Sequence, residues 1–231
     1  MYLYLRVNGQ FKMFPVLVVN LLIFSLRDHR LQVLLTNNQK DPPRNQWELP
    51  GTPIRLVESF EQTASQELSR LLGGREAYLE QLYTYGDPGR NPIERTISVV
   101  YFALVPASAG TTPSSIDDQI IQWFPVDELP PLAMDFGEII LYGLRRLRYK
   151  LEYTAVGFQL LPEEFTLSEL QRTYEMILGE TLDKRNFRRR ILEAGIIEPT
   201  THFSSGEGRP AQFYRYNSDA VAEVKARRLF P

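Results

Sequence analysis

From residue 13 to residue 26 the chain is apolar almost without interruption (Met-Phe-Pro-Val-Leu-Val-Val-Asn-Leu-Leu-Ile-Phe-Ser-Leu) and rich in branched side chains. That is the pattern of a strand covered on both faces. Arg27-Asp-His-Arg30 predicts a turn, and 31–35 a returning strand. A polar loop is expected over 36–45, ahead of Trp47-Glu-Leu-Pro-Gly51. Ser59 with Gln62 three positions on forms a capping box, so a helix is predicted over 59–72, stopped by Gly73-Gly74. Further strands are predicted at Tyr78–Tyr85, Thr96–Val105 and 119–124. Over 135–151 the period lengthens to that of a helix, with Phe136, Ile139, Ile140, Leu144 and Leu147 on or near one face.

Around 150–162 the pattern changes, and Leu161-Pro162 breaks the preceding segment. Thr166 with Glu169 is a second capping box, opening a helix over 166–178 with Leu167, Leu170, Tyr174 and Ile177 at helical spacing. After a short turn at 179–182, Asp183 is placed to cap a further helix and Gly195 to end it. Phe187, Ile191 and Ala194 share one face of that helix; Arg185 and Arg189 point the other way, with Asn186 and Arg188 on the flanks. Two helices joined by a short turn have the order of a helix-turn-helix. A β-hairpin is expected from 196–201, a tip at Ser204-Ser-Gly-Glu-Gly208, and 209–216, followed by a last helix over 218–229. The whole reads as a winged helix within 160–231.

The chemistry of the second helix fits a major groove. Arginine pairs bidentately with guanine and asparagine with adenine, which makes Arg185, Asn186 and Arg189 candidate base readers. Lys184, Arg188, Arg190 and Arg209, the last at the wing, are candidate phosphate contacts that set orientation. The competing reading is a solvated basic surface helix.

Composition narrows the rest. With 231 residues, 43% hydrophobic and 23% charged, the chain has the make-up of an ordinary globular protein of one large or two modest domains. The net charge of −2 offers no global basic field, so any nucleic-acid affinity must be local; positions 184–190 hold five Lys or Arg in seven. The absence of cysteine excludes disulfides and thiolate metal sites, and His29 and His202 are too far apart for a zinc motif. The longest apolar run is too short to span a bilayer, and no basic region precedes a cleavage site. A cytoplasmic protein without membrane contact is expected.

The stretch from Leu49-Pro-Gly-Thr through Glu67-Leu-Ser-Arg-Leu-Leu-Gly73 resembles a Nudix box, Gly-x5-Glu-x7-Arg-Glu-U-x-Glu-Glu-x-Gly-U. Aligned without gaps, Thr52 stands at the first Gly and Glu58 at the first Glu. Gln66-Glu67 stands at Arg-Glu, Arg70-Leu71 at the Glu-Glu pair, Gly73 is kept, and Gly74 stands at the last aliphatic position. In Nudix hydrolases the clustered carboxylates of this helix hold Mg²⁺, which polarises a diphosphate and activates water. Here a cation and an aliphatic side chain replace two of them, so no catalytic residue and no metal site are expected.

With the C-terminal motif from Leu160 through Arg189, and Gly208-Arg209-Pro210 at the wing, nearly the whole chain resembles the Nudix-related transcriptional regulators called NrtR. The resemblance implies an α/β fold: a Nudix-like α/β/α sandwich over 1–155 and a winged helix-turn-helix domain over 156–231. It also implies a homodimeric repressor of NAD metabolism genes that binds a near-palindromic double-stranded operator and is released by ADP-ribose. No cofactor is implied. The segment from Gly86 to Tyr101 resembles the family's effector-contacting stretch, with extra residues in its loop. Arg95 is then a candidate diphosphate partner, and Arg70 could neutralise phosphate where an enzyme holds metal. The candidate ligand set is Arg55, Glu58, Arg70, Asp87, Arg95, Ser98, Tyr101 and Asp135, with Phe136 standing where relatives carry His. Segments 135–151 and 1–10 are candidate contributors to a dimer. Two alternatives stand beside this: a Nudix hydrolase of ADP-ribose-like nucleoside diphosphates, and a sugar-sensing regulator of the same architecture.

Overall fold

The long apolar run becomes an inner strand of the largest sheet, and its continuous burial explains why it lacks alternation. A computed structural model describes residues 3–7, 10–38, 46–107, 114–116, 119–205 and 210–217, with backbone alone at 3–13 and 153. Strand β3 (Val16–Arg27) is buried from Val19 through Leu26. On either side lie β4 (Arg30–Asn38) and β7 (Thr96–Val105), both buried along most of their length. The sheet continues through β6 (Tyr78–Tyr85) on one side, and through β9 (Gln119–Pro125) and β8 (Ser115–Ile116) on the other. A short strand, β5 (Gly51–Pro53), pairs antiparallel with β3 from Val18↔Pro53 to Asn20↔Gly51. Ahead of this sheet, β1 (Leu3–Val7) and β2 (Gln10–Phe14) form their own antiparallel pair.

By contacts the chain divides into two compact units. One holds Met1–Phe24, Gln32–Leu104 and Ala109–Gly143; the other holds Ser25–Leu31, Val105–Ser108 and Leu144–Pro231.

In the first unit, α1 (Phe60–Leu71) starts where the capping box predicts. Ser59 Oγ accepts from the Gln62 backbone N–H (3.1 Å), and Gln62 Oε1 accepts from the Ser59 N–H (2.9 Å). It buries Thr63, Ala64, Glu67, Leu68 and Leu71. The opening half of α2 (Phe136–Tyr153) also belongs here. Gly143 lets that helix approach β3 closely: a Cβ there would lie 2.1 Å from Leu22 Cδ2. Along β7, Thr96 and Ser98 share one face, while Tyr101 lies on the other and feels the charge of Glu61 on α1. Helices therefore cover both faces of a mixed α/β domain.

In the second unit, a 3-10 turn (Val156–Leu160) leads to β10 (Glu164–Thr166), α3 (Leu167–Leu178), α4 (Lys184–Glu193), β11 (Ile197–Phe203) and β12 (Gln212–Tyr216). The strands pair antiparallel in the order β10-β12-β11. Buried aromatic rings organise its core. Phe158 stacks on Tyr216 at 4.8 Å, and Tyr174 meets Phe187 edge-on at 5.6 Å. Burial pushes the Tyr174 hydroxyl pKa up. Gly179 ends α3 at φ +78, a left-handed position where a side chain would be strained, and its N–H closes on the Glu175 carbonyl.

Three expectations need correction. The polar loop expected from residue 36 does not begin there, because Thr36 and Asn37 are buried and β4 pairs with β9 as far as Asn38↔Gln119. Backbone ladder bonds, including the reciprocal Thr36–Glu48 pair at 2.9 Å, override the polar composition. The second helix runs to Tyr153 rather than stopping at residue 151, and ends as Thr154 turns its N–H and hydroxyl onto the Lys150 carbonyl. Strands β5, β8 and β10 are too short to leave a periodic signature. The predicted helix at 218–229 lies outside the described residues.

Candidate functional site

The first unit contains a cavity of 370 Å³ whose lining includes Asn20, Glu48, Asn91, Glu94, Thr96, Ser98, Met134 and Phe136. Its walls include β3 with β7, the segment over 46–51, the loop over 91–94 and the entry to α2, with Thr36 of β4 and Gln119 of β9 also lining it. That entry is held by the backbone of Trp47, which donates to the Pro131 carbonyl (2.8 Å) and accepts from Ala133 (3.0 Å). Trp47 is itself braced edge-on against Phe124. Asn20 is buried and donates to the Leu49 carbonyl at 3.4 Å, while its side-chain oxygen has no hydrogen-bond partner.

Behind this cavity sits a residue that sequence reasoning missed. Arg90 is almost wholly buried, its side chain 2% exposed. It grips Asp135 with two bonds, Nε to Oδ2 at 2.9 Å and Nη2 to Oδ1 at 2.6 Å, and donates from Nη1 to Ser98 Oγ at 2.7 Å. Its guanidinium also lies 5.9 Å from the Tyr85 ring centroid. Burial first, then neighbouring tyrosines and Asp135, push the Tyr85 hydroxyl up to about 12, against a lowering by Arg90. The available signal was an arginine eight positions before Ser98 in the same loop as Arg95. Arg95 is half-buried, with one buried guanidinium nitrogen lacking a hydrogen-bond partner. Asp87 is exposed, and its carbonyl accepts from the Arg90 N–H. Ser98 lines the cavity, whereas Tyr101 is on the opposite face of its strand.

A second, smaller cavity of 180 Å³ is lined by Thr52, Arg55, Glu58, Thr63, Gln66, Glu67 and Arg70. Here the predicted box residues do come together. Arg70 forks onto Glu67, Nε to Oε2 at 2.9 Å and Nη2 to Oε1 at 2.7 Å, with side-chain exposures of 35% and 8%. Arg55 donates to Glu58 Oε1 (3.1 Å) and to Gln66 Oε1 (3.4 Å), and the Thr63 hydroxyl donates to Glu58 Oε2 (3.3 Å). A guanidinium thus occupies both oxygens of the Glu67 carboxylate. Among the described residues no group of three or more His, Cys, Asp or Glu could hold a metal ion.

The second unit presents α4. Asp183 caps it, accepting from the Asn186 N–H at 2.7 Å. Phe187 and Ile191 are buried, so Lys184, Arg185 and Arg189 are turned outward and exposed. Asn186 Oδ1 accepts from Arg189 Nη2 at 2.9 Å, which joins two of the predicted base readers. Arg188 is turned partly inward, donating from Nη2 to Ser168 Oγ (3.1 Å), while its buried Nε has no hydrogen-bond partner. Arg190 is half-buried beside Glu152 and Asp183 in a cavity of 250 Å³. The turn before α4 is clamped by side chains. Gln171 donates to the Leu182 carbonyl (3.0 Å), and Glu175 accepts from the Leu182 N–H (2.9 Å). Arg209 lies outside the described residues.

Residues 16–142 match the NUDIX domain family, and residues 157–216 match the NrtR DNA-binding winged helix domain. A curated relative, the ADPR responsive transcriptional repressor NtrR of Acinetobacter baylyi, is 34% identical over 206 residues, 87% of this chain and 82% of the relative. The crystal structure of Shewanella oneidensis NrtR complexed with a 27mer DNA superposes with a TM-score of 0.80 at 32% identity, covering 92% of this chain and 96% of that one. The NUDIX domain of the same Shewanella protein, complexed with ADP ribose, gives a TM-score of 0.50 at 28% identity over 58% of this chain and 89% of that one.

Proposed function

This chain belongs to the NrtR family, and from that premise we propose that it is a transcriptional repressor whose Nudix half binds ADP-ribose without hydrolysing it. The observation that carries the non-hydrolytic part is the Arg70 fork on Glu67, which places positive charge where a Nudix enzyme needs Mg²⁺. Residues 1–155 then form the effector module and 156–231 the DNA-binding module. The effector residues divide between the two cavities. Arg55, Glu58 and Arg70 line the smaller; Ser98 lines the larger, and Asp135 stands between its lining residues Met134 and Phe136. Asp87 and Arg95 flank the loop that walls it, and Tyr101 faces the α1 side of the sheet. Arg95 and Arg70 are the diphosphate partners. Arg185, Asn186 and Arg189 read bases, while Lys184, Arg188, Arg190 and Arg209 hold phosphates.

The working form is a cytoplasmic homodimer, since two recognition helices on one face of a duplex need half-sites about one helical turn apart. The genes under control are those of NAD metabolism, and no helix among the described residues is long and apolar enough to cross a membrane. ADP-ribose releases DNA only by binding the DNA-free arrangement more tightly than the DNA-bound one. A titration of purified protein on its neighbouring promoters, with and without ADP-ribose, tests this: specific binding that ADP-ribose weakens is expected. Mg²⁺-dependent turnover of ADP-ribose, abolished by Glu67→Gln, would instead establish an enzyme. Calorimetry with pentoses decides against the sugar-sensing alternative if no heat is seen.

A further inference from the structure

The geometry points to Arg90 and Asp135 as positioning residues that set the shape of the 370 Å³ cavity and thereby its affinity for the effector, an inference that rests on the effector reading above. One guanidinium ties two walls of that cavity together, and the backbone of the same residue runs into a third. Ser98, on the strand wall, accepts from Nη1. Asp135, on the α2 wall, stands between the lining residues Met134 and Phe136 and takes the other two bonds. Asn91, the next residue in the chain, begins the loop wall over 91–94.

That loop has its own brace from Asn91, whose side chain donates to Thr96 Oγ1 and accepts from the Ile93 N–H, both at 3.0 Å. The α2 wall is held in an unfavourable conformation. Met134 sits at φ +50, which a non-glycine residue keeps only when its surroundings hold it there. Asp135 supplies such a hold, being tied by its side chain to Arg90 and by its carbonyl to the Ile139 N–H at 3.1 Å.

A fork is the right device for this task. Two parallel charge-assisted bonds fix the plane of the carboxylate as well as its distance, and the third bond fixes the rotation of the guanidinium about its stem. Lysine carries a point charge and cannot reproduce either constraint. Arg90 does not line the cavity itself, so it acts on a ligand through Ser98, Asp135 and the loop, not by contact.

The test uses the full chain carrying Asp135→Asn, Arg90→Lys or Ser98→Ala, with Asp135→Glu as the conservative variant. Calorimetry with ADP-ribose should show affinity falling about tenfold in Asp135→Asn and Arg90→Lys, the size expected when members of one hydrogen-bonded network are uncoupled. Ser98→Ala should lose less, and Asp135→Glu should recover part of the loss. Unchanged operator binding without ligand serves as the control for folding. In parallel, amide exchange without ligand should quicken at 91–94 and 133–136 together in Asp135→Asn, leaving β3 and β7 protected. Parental ADP-ribose affinity in both charge variants, or exchange unchanged at both walls, would overturn the inference. A parent chain that ignores ADP-ribose would overturn the effector reading instead, and the exchange measurement would still decide whether the clasp shapes the cavity.

Discussion

Helices α1 and α4 use their arginines in opposite ways. On α1, Arg70 is turned back onto Glu67 one turn earlier, and both line a small cavity. On α4 there is no acid between Lys184 and Leu192, and Lys184, Arg185 and Arg189 are exposed. The same side chain is therefore spent inside one unit and held available in the other. An internally compensated arginine is a poor electrostatic lure but a good fixed dipole for a small ligand. An uncompensated row of cations suits a polyanion, which it meets through phosphate neutralisation and counterion release. Net charge, at −2, conceals both arrangements.

The contrast depends first on α4 being held with its cations outward, and that is the task of Phe187. Its ring is 2% exposed and packs edge-on against Tyr174. Phe187→Ala should destabilise the protein by about 3–5 kcal/mol, the usual cost of emptying an aromatic core site, as read by urea unfolding. An operator-binding loss without a stability loss would show that the ring does not anchor the helix. Next in size is Arg189→Ala, expected to weaken specific operator binding by about 1–3 kcal/mol and relax preference at one base pair. Since Arg189 also orients Asn186, the neighbouring base preference should loosen with it. Gel shifts on single-base operator variants check both; unchanged affinity and specificity would remove Arg189 from the readers.

On the α1 side, Arg70→Ala should cost about 1–3 kcal/mol in stability, because it leaves a nearly buried carboxylate without its forked partner. Adding Glu67→Gln should recover much of that loss, as neighbouring sites are not additive. Equal losses in the single and double variants would mean that the pair does not neutralise itself, and the contrast with α4 would fail.

What could be read from sequence followed the range of the interactions that decide each feature. The starts of α1, α3 and α4 depend on Ser59, Thr166 and Asp183, each bonding a backbone group three residues on, so their local signals were enough. The apolar strands were equally plain, because burial on both faces writes itself into every position. Arg90 was invisible, since the residue that gives it meaning is 45 positions away. Tyr101 and Ser98 looked like one site in a linear motif, yet an odd spacing along a strand puts them on opposite faces. Arg188 looked like its neighbours on α4, but Ser168, twenty residues earlier, draws it inward. Local chemistry was legible; pairing across the fold was not.

The smallest effect is also the most selective test of the availability of charge on α4. Lys184 is exposed at the first turn and is assigned to phosphate, not to a base. A phosphate contact releases condensed counterions when it forms, so its energy appears in the salt dependence of binding. Lys184→Ala should therefore weaken binding to operator and to unrelated DNA by the same factor, and lower the slope of log affinity against log salt by about 1. Arg189→Ala should instead act mainly on the operator. If both variants changed only the slope, α4 would be a nonspecific cationic strip and its sequence-reading role would be lost. If Lys184→Ala changed preference among bases while leaving the slope alone, the helix would enter the groove in a different register, with its first turn as the reading edge.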